Sequence, residues 1–113
     1  MTMQLKQWSR IDQYNIQFPE DGITVYRLAD LTGSELKPVN WMISDEEGRE
    51  ILKLKLDDTT YAVSMSKSAI RDFKSLYEIF STAFVDFIVF TEHTEDGTEY
   101  LTLRPGAETK AGL

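Results

Sequence analysis

The hydrophobic periodicity of this sequence changes at residue 66, and that change limits the fold more than any other feature. From 39 to 65 apolar and polar residues tend to alternate, most cleanly in the Leu-Lys-Leu-Lys-Leu run at 52–56, which is the period of a strand with one buried face. From 67 to 80 the apolar residues follow helical spacing instead: Ala69, Ile70, Phe73, Leu76, Tyr77 and Phe80. We therefore expect a three-stranded meander followed by one amphipathic helix, with Ser66 as its N-cap.

The rest of the chain consists of short apolar segments separated by turn sequences. The segments 13–18, 23–28, 85–92 and 98–103 have the alternation or the β-branched and aromatic content of strands. Residues 30–38 contain Gly33 and Pro38 and indicate a surface loop. Together these patterns predict an α+β fold: an antiparallel β-sheet of about five to seven hairpin-connected strands, with one amphipathic α-helix packed on one face.

The length of 113 residues is typical of one domain, because two independent cores would each be too small to be stable. We expect a single α+β domain over residues 1–104. Residues 105–113 are small and polar, and they indicate a flexible C-terminal tail.

The composition argues against several kinds of site. The chain has no cysteine and one histidine, His93, which excludes thiolate metal sites and leaves no set of zinc ligands. Its six glycines form no phosphate-binding motif, so no nucleotide cofactor is expected. No apolar run reaches the ~20 residues of a membrane span. We expect a cytoplasmic protein with no metal, no cofactor and no membrane contact.

No residues meet the requirements of a catalytic site. The carboxylate pairs, such as Glu20-Asp21 and Asp57-Asp58, fall in predicted turns, where acidic side chains are solvated and bond locally. Acid–base catalysis instead needs paired carboxyl groups whose surroundings separate their pKa values. We therefore expect no catalytic residues and a protein that is not an enzyme.

Charge is unevenly distributed along the chain. The formal net charge is −7, yet residues 53–74 carry five basic and three acidic residues. The remaining segments are acidic, above all the end of the chain: residues 75–113 carry two basic and seven acidic residues. A binding function could therefore use either of two surfaces with opposite charge.

The leading hypothesis uses the acidic surface. Its candidate protein-binding residues are Asp45, Glu46, Glu47, Asp86, Glu92, Glu95, Asp96 and Glu99. Such a surface would bind a basic partner and compete with that partner's nucleic acid. It indicates a small regulator or inhibitor of a nucleic-acid-handling protein, of the type that phages and mobile elements encode, acting as a nucleic-acid mimic. The competing explanation is that the charge serves solubility.

Two alternatives remain open. The basic segment could bind single-stranded nucleic acid, with charges and stacking rings supplied by Trp41, Lys53, Lys55, Tyr61, Lys67, Arg71 and Lys74. The same residues could equally be a solvated helix face and cross-strand ion pairs. The other alternative is an assembly protein that forms a homodimer through exposed strand edges.

Overall fold

The computed structural model describes residues 8–112. Within this range there are three α-helices: α1 (Arg10–Gln17), α2 (Lys67–Phe80) and α3 (Ala107–Ala111). The seven strands of the same range are β1 (Thr24–Arg27), β2 (Glu35–Leu36), β3 (Asn40–Glu46), β4 (Arg49–Asp57), β5 (Thr60–Ser64), β6 (Phe87–His93) and β7 (Glu99–Pro105). Short 3-10 turns occupy Leu28–Leu31 and Ser81–Ala83. No helix of the described range has the length and apolarity needed to cross a membrane.

The strands form two sheets. In the four-stranded sheet, of order β1-β5-β4-β3, the meander β3-β4-β5 is antiparallel and β1 lies parallel to β5. The three-stranded sheet, of order β2-β6-β7, is antiparallel. The α+β class, the number of strands and the meander are confirmed. The sequence predicted one sheet, and the structure divides the strands between two.

The long helix α2 has the bounds and the buried face that its periodicity predicts. Ser66 caps it by accepting a hydrogen bond from the Ala69 backbone N–H at 3.2 Å. Phe73 is fully buried, and its ring centroid lies 5.1 Å from Trp41 and 6.0 Å from Phe87 in edge-on geometry. These two partners belong to different sheets, so Phe73 joins both sheets in one hydrophobic core.

Helix α2 also covers the outer edge of β7. Ser68 Oγ donates a 2.6 Å hydrogen bond to the carbonyl oxygen of Leu101, and Asp72 Oδ2 accepts one of 3.1 Å from the Leu103 backbone N–H. Because Ser68 and Asp72 are four residues apart, they lie on the same helix face. Side chains of α2 therefore already occupy some of the backbone hydrogen-bonding groups at this strand edge.

The prediction of a strand over 13–18 is wrong, because these residues belong to α1 and its C-cap. A capping box starts the helix: Ser9 Oγ accepts from the Asp12 N–H at 3.1 Å, and Asp12 Oδ2 accepts from the Ser9 N–H at 3.4 Å. In the helix, Tyr14 and Phe18 are exposed while Ile16 lies on another side and is partly buried, so the alternation of these three residues does not mark one buried face.

The prediction of a surface loop over 30–38 is only partly right. Glu35 and Leu36 form β2 and pair with Ile88 and Phe87, and the Leu36 side chain is buried. The loop is therefore interrupted by an edge strand of the smaller sheet.

The end of the chain also differs from its prediction as a flexible tail. Pro105 is the last residue of β7, and residues 107–111 form α3. The buried Asp86 carboxylate accepts hydrogen bonds from the backbone N–H groups of Glu108 and Thr109, at 3.3 and 2.8 Å. It thereby caps the first turn of α3 and holds this helix against the start of β6.

Candidate functional site

Helix α1 is docked on the outer face of the four-stranded sheet through polar side chains. Tyr61 Oη donates a 2.7 Å hydrogen bond to Asp12 Oδ1 and accepts one of 3.1 Å from Asn15 Nδ2. Lys55 Nζ lies 3.1 Å from the same Asp12 oxygen. These contacts leave Tyr61 only 1% exposed, so its hydroxyl is satisfied within the protein.

The charges of this cluster stabilise one another. Burial by itself raises the pKa of Asp12, but the hydrogen bonds from Tyr61, Lys55 and Ser9 together lower it below its ordinary value. The Asp12 carboxylate in turn raises the pKa of Lys55. Asp12 and Lys55 are therefore an ion pair at neutral pH.

A second polar cluster continues along the same helix face. The Lys53 side chain is buried, with Nζ 2.8 Å from Glu46 Oε2 and 2.9 Å from Gln13 Oε1. Ser44 Oγ also donates to Glu46 Oε2, at 2.8 Å. The hydrogen bond from Lys53, and then that from Ser44, lowers the pKa of Glu46. The buried ammonium of Lys53 thus has a carboxylate partner and an amide acceptor.

Beside this second cluster lies a cavity of about 530 Å³, which we call the α1 cavity. Its walls come from α1, the end of β1 with the 3-10 turn after it, the end of β3, the strands β4 and β5, and β7. They are mostly apolar, with the side chains of Ile16, Leu28, Ile51, Val63, Met65, Tyr100 and Leu101. Met65 is 55% exposed and Tyr100 is 38% exposed, so two large side chains of the wall reach solvent. A cavity of this size accommodates a large apolar side chain.

Two predicted acidic positions from different sheets meet at this cavity. Glu46 at the end of β3 and Glu99 at the start of β7 both line it. The cavity's two cations already have acidic partners, because Lys53 pairs with Glu46 and Arg27 pairs with Asp30 at 3.2 Å. The Glu99 side chain is 69% exposed and lies 3.2 Å from His93. The cavity thus combines apolar walls with two acidic and two basic side chains, and Glu99 is the acidic one that pairs with neither of these two cations.

The other acidic candidates occupy different surroundings. Asp45, Glu47 and Glu95 are exposed. Asp96 is exposed and accepts a hydrogen bond from the Thr98 N–H at 3.1 Å, which stabilises the β6–β7 turn. Glu92 lies 2.6 Å from Arg104 on the neighbouring strand. Arg104 comes twelve residues later in the chain, so this pair forms only because β6 and β7 lie side by side.

Asp86 does not lie on the acidic surface. It is 0% exposed and its carboxylate is used to cap α3. The sequence places Asp86 in an apolar strand segment, and such a position predicts burial more than exposure. Its assignment to the protein-binding surface is therefore wrong, because a partner cannot reach it.

The aromatic residues proposed for base stacking are also buried. Trp41 is 9% exposed and packs on Phe73, while Tyr61 lies under α1. Lys53 and Lys55 point to α1 and are paired with acids. Trp41, Tyr61 and Lys53 are therefore inaccessible to a nucleic acid in this conformation, and the partly exposed Lys55 is paired with Asp12.

The remaining basic candidates do share one surface. Lys67, Arg71 and Lys74 line a groove of about 810 Å³ between α2 and the start of β4. Arg49 lines the same groove; sequence reasoning missed it because it precedes the basic segment. Lys74 pairs with Glu50 at 2.7 Å, and Arg71 lies 3.5 Å from Asp72. We call the groove lined by Arg49, Lys67, Arg71 and Lys74 the basic groove.

Among residues 8–112, no group of three His, Asp or Glu side chains is arranged to hold a metal ion. Comparisons with protein-family models, with curated proteins and with solved structures found no significant match.

Proposed function

We propose that this protein is a non-enzymatic binding protein that regulates or inhibits a basic, nucleic-acid-handling protein. Its binding site is the α1 cavity, which receives an apolar side chain from a basic segment of the partner. The single observation that supports this proposal is the combination of apolar walls with Glu46 and Glu99 at one cavity of about 530 Å³.

The apolar walls account for affinity. An anchor side chain in a pocket is the usual centre of a protein interface, and the surrounding contacts exclude water from it. Met65 and Tyr100 are the exposed wall residues, and both are of types enriched at interfaces. An apolar side chain that enters between them loses its contact with water.

The charge accounts for the choice of partner. A net charge of −7 attracts a basic protein and repels nucleic acid. Glu99, at the cavity, and Glu95, in the turn before β7, are exposed on the same hairpin. Lysine or arginine residues that flank the anchor would meet these carboxylates and accelerate association.

A displayed library of random peptides tests this proposal directly, because it samples many candidate anchor segments at once. We expect the enriched peptides to contain a large apolar residue flanked by lysine or arginine. We also expect their affinity to fall with rising salt, because steering between exposed charges is screened. Enrichment of acidic peptides, or of none, would contradict the proposal.

A matched pair of variants locates the binding site of the enriched peptides. Ala29→Trp places a bulky ring at the wall of the α1 cavity and should abolish binding. Ala107→Trp introduces the same ring at an exposed position of α3, outside the cavity, and should bind as wild type does. Equal binding by both variants would place the peptide elsewhere.

The basic groove supports a second candidate function, the binding of single-stranded nucleic acid through its phosphates. The observation in its favour is that Arg49, Lys67, Arg71 and Lys74 line one groove. With Trp41 and Tyr61 buried, such binding would depend on charge and would be steeply sensitive to salt. We rank it second because Glu50 and Glu78 also line the groove.

A further inference from the structure

Helix α1 exposes its apolar face. Ile11, Tyr14 and Phe18 are 66%, 49% and 60% exposed, and their spacing of three and four residues places them in one line. Tyr14 and Phe18 are in contact, with ring centroids 5.4 Å apart. We call these three residues the α1 stripe. Single exposed apolar residues are common, whereas a contiguous patch of large ones marks an interaction site.

The sheet beneath α1 explains this orientation. It presents the ammonium groups of Lys53 and Lys55 and the hydroxyl of Tyr61, and each of these needs a polar partner when it is covered. Asp12 and Gln13 supply such partners. The helix therefore turns its polar side inward, and its apolar side is left at the surface.

The charges at the two ends of α1 are opposite in sign. Arg10 is the first residue of the helix, and Glu20 and Asp21 follow its C-terminal end; all three are exposed. Two such helices in antiparallel contact would place Arg10 of each beside Glu20 and Asp21 of the other. The same arrangement sets Ile11 against Phe18 and brings Tyr14 close to its own copy.

We propose that the α1 stripe is the interface of a homodimer, in which two copies of α1 pack antiparallel about a two-fold axis. The stripe and its end charges are complementary to themselves in this arrangement, as a two-fold interface requires. Dimerisation through the edge of β7 is less favourable, because Ser68 and Asp72 already bond to that edge. Ile11, Tyr14 and Phe18 do not line the α1 cavity, so this proposal is independent of the proposed function.

Sedimentation equilibrium of the full chain, from micromolar to millimolar concentration, measures the dimer directly. We expect wild type to dimerise and Ile11→Glu to weaken the dimer by at least about tenfold, since a charge would be buried in the interface. The matched control is Ile79→Glu, at a residue of α2 that is 68% exposed, and it should dimerise as wild type does. Circular dichroism confirms that each variant is folded.

Charge reversal tests the antiparallel geometry. Arg10→Glu should weaken the dimer, and adding Glu20→Lys and Asp21→Lys in the same chain should restore it. The absence of cysteine also allows a clean cross-link: Tyr14→Cys should form a disulfide-linked dimer on oxidation, and Ile79→Cys should not.

Three results would overturn the proposal. The first is a wild-type protein that stays monomeric at every concentration. The second is an Ile11→Glu variant that dimerises as strongly as wild type. The third is a full-length protein that stays monomeric while a variant lacking residues 1–7 dimerises, because that segment of the chain would then be the occupant of the stripe.

Discussion

Asp86 and Thr109 exchange hydrogen bonds in both directions. The Thr109 backbone N–H donates to Asp86 Oδ1 at 2.8 Å, and Thr109 Oγ1 donates to the Asp86 carbonyl oxygen at 2.8 Å. Both residues are 0% exposed. This reciprocal pair joins α3 to the start of β6, 23 residues earlier in the chain.

Replacement of Thr109 by valine removes the hydroxyl from this pair. The hydroxyl also accepts hydrogen bonds from the backbone N–H groups of Val85 and Asp86, at 3.1 and 3.0 Å. Leaving these buried groups without partners should lower the free energy of unfolding by about 1–3 kcal/mol. Urea denaturation measures the loss, and Thr82→Val, at an exposed position, is the control. Equal stability of both variants would contradict the role of the pair.

Protonation of Asp86 should destabilise the protein in acid. Burial by itself raises the pKa of Asp86, but a proton held by the neighbouring Glu35 carboxyl and hydrogen bonds from Thr109 and from the Glu108 backbone N–H lower it to about 2. The same contact with Asp86 raises the pKa of Glu35. A carboxyl group whose pKa is lowered by folding stabilises the protein at pH values above its unfolded-state pKa, here 3.8. This stabilisation is lost as the pH falls through the folded-state pKa. We expect the free energy of unfolding to fall between about pH 4 and pH 2.

The variant Asp86→Asn separates this effect from general acid destabilisation. It should be less stable than wild type at neutral pH, and the difference should shrink as pH falls from about 4 to 2. The stability of both proteins should still fall in acid to some extent, because the pKa of Asp12 is also lowered in the folded protein. Chemical denaturation at several pH values measures the difference, and a difference that does not change with pH would contradict the prediction.

Truncation of Phe73 should damage the common core. Phe73→Ala removes a fully buried ring that contacts aromatic residues of both sheets. The expected loss is about 3–5 kcal/mol of unfolding free energy. Ile79→Ala, on the exposed side of the same helix, should cost less than about 0.5 kcal/mol. A Phe73→Ala protein that melts within a degree or two of wild type would contradict the observed packing.

Binding of a single-stranded oligonucleotide distinguishes the two candidate functions. We expect none at about 50 mM salt, since the protein carries a net charge of −7 and its candidate stacking rings are buried. Fluorescence anisotropy with a labelled oligonucleotide measures this. Binding that disappears on joint reversal of Arg49, Lys67 and Arg71 to glutamate would instead favour the basic groove as the functional surface.

The sequence by itself determined α2 and the meander. The helical stripe from Ala69 to Phe80 and the Ser66 cap act within one short segment, and so does the alternation of leucine and lysine in β4. Each is a local pattern whose period matches the geometry of its element, so its type can be recognised from that segment alone.

The tertiary structure decided the environment of individual side chains. Lys53 and Lys55 alternate as solvent-facing residues would, yet α1 covers them; Asp86 is acidic, yet it is buried against α3. In each case a segment distant in sequence supplied the polar partners that make burial of the charge tolerable.

Helix α1 shows both contributions. Its Ser9–Asp12 capping box is a local signal that could have identified the start of the helix. Its orientation, with Asp12 inward and Ile11 outward, could not have been predicted from the segment alone, because an isolated amphipathic helix is expected to bury its apolar side. The polar groups of β4 and β5 reversed that preference, since leaving them buried without partners would cost more than exposing the apolar side chains.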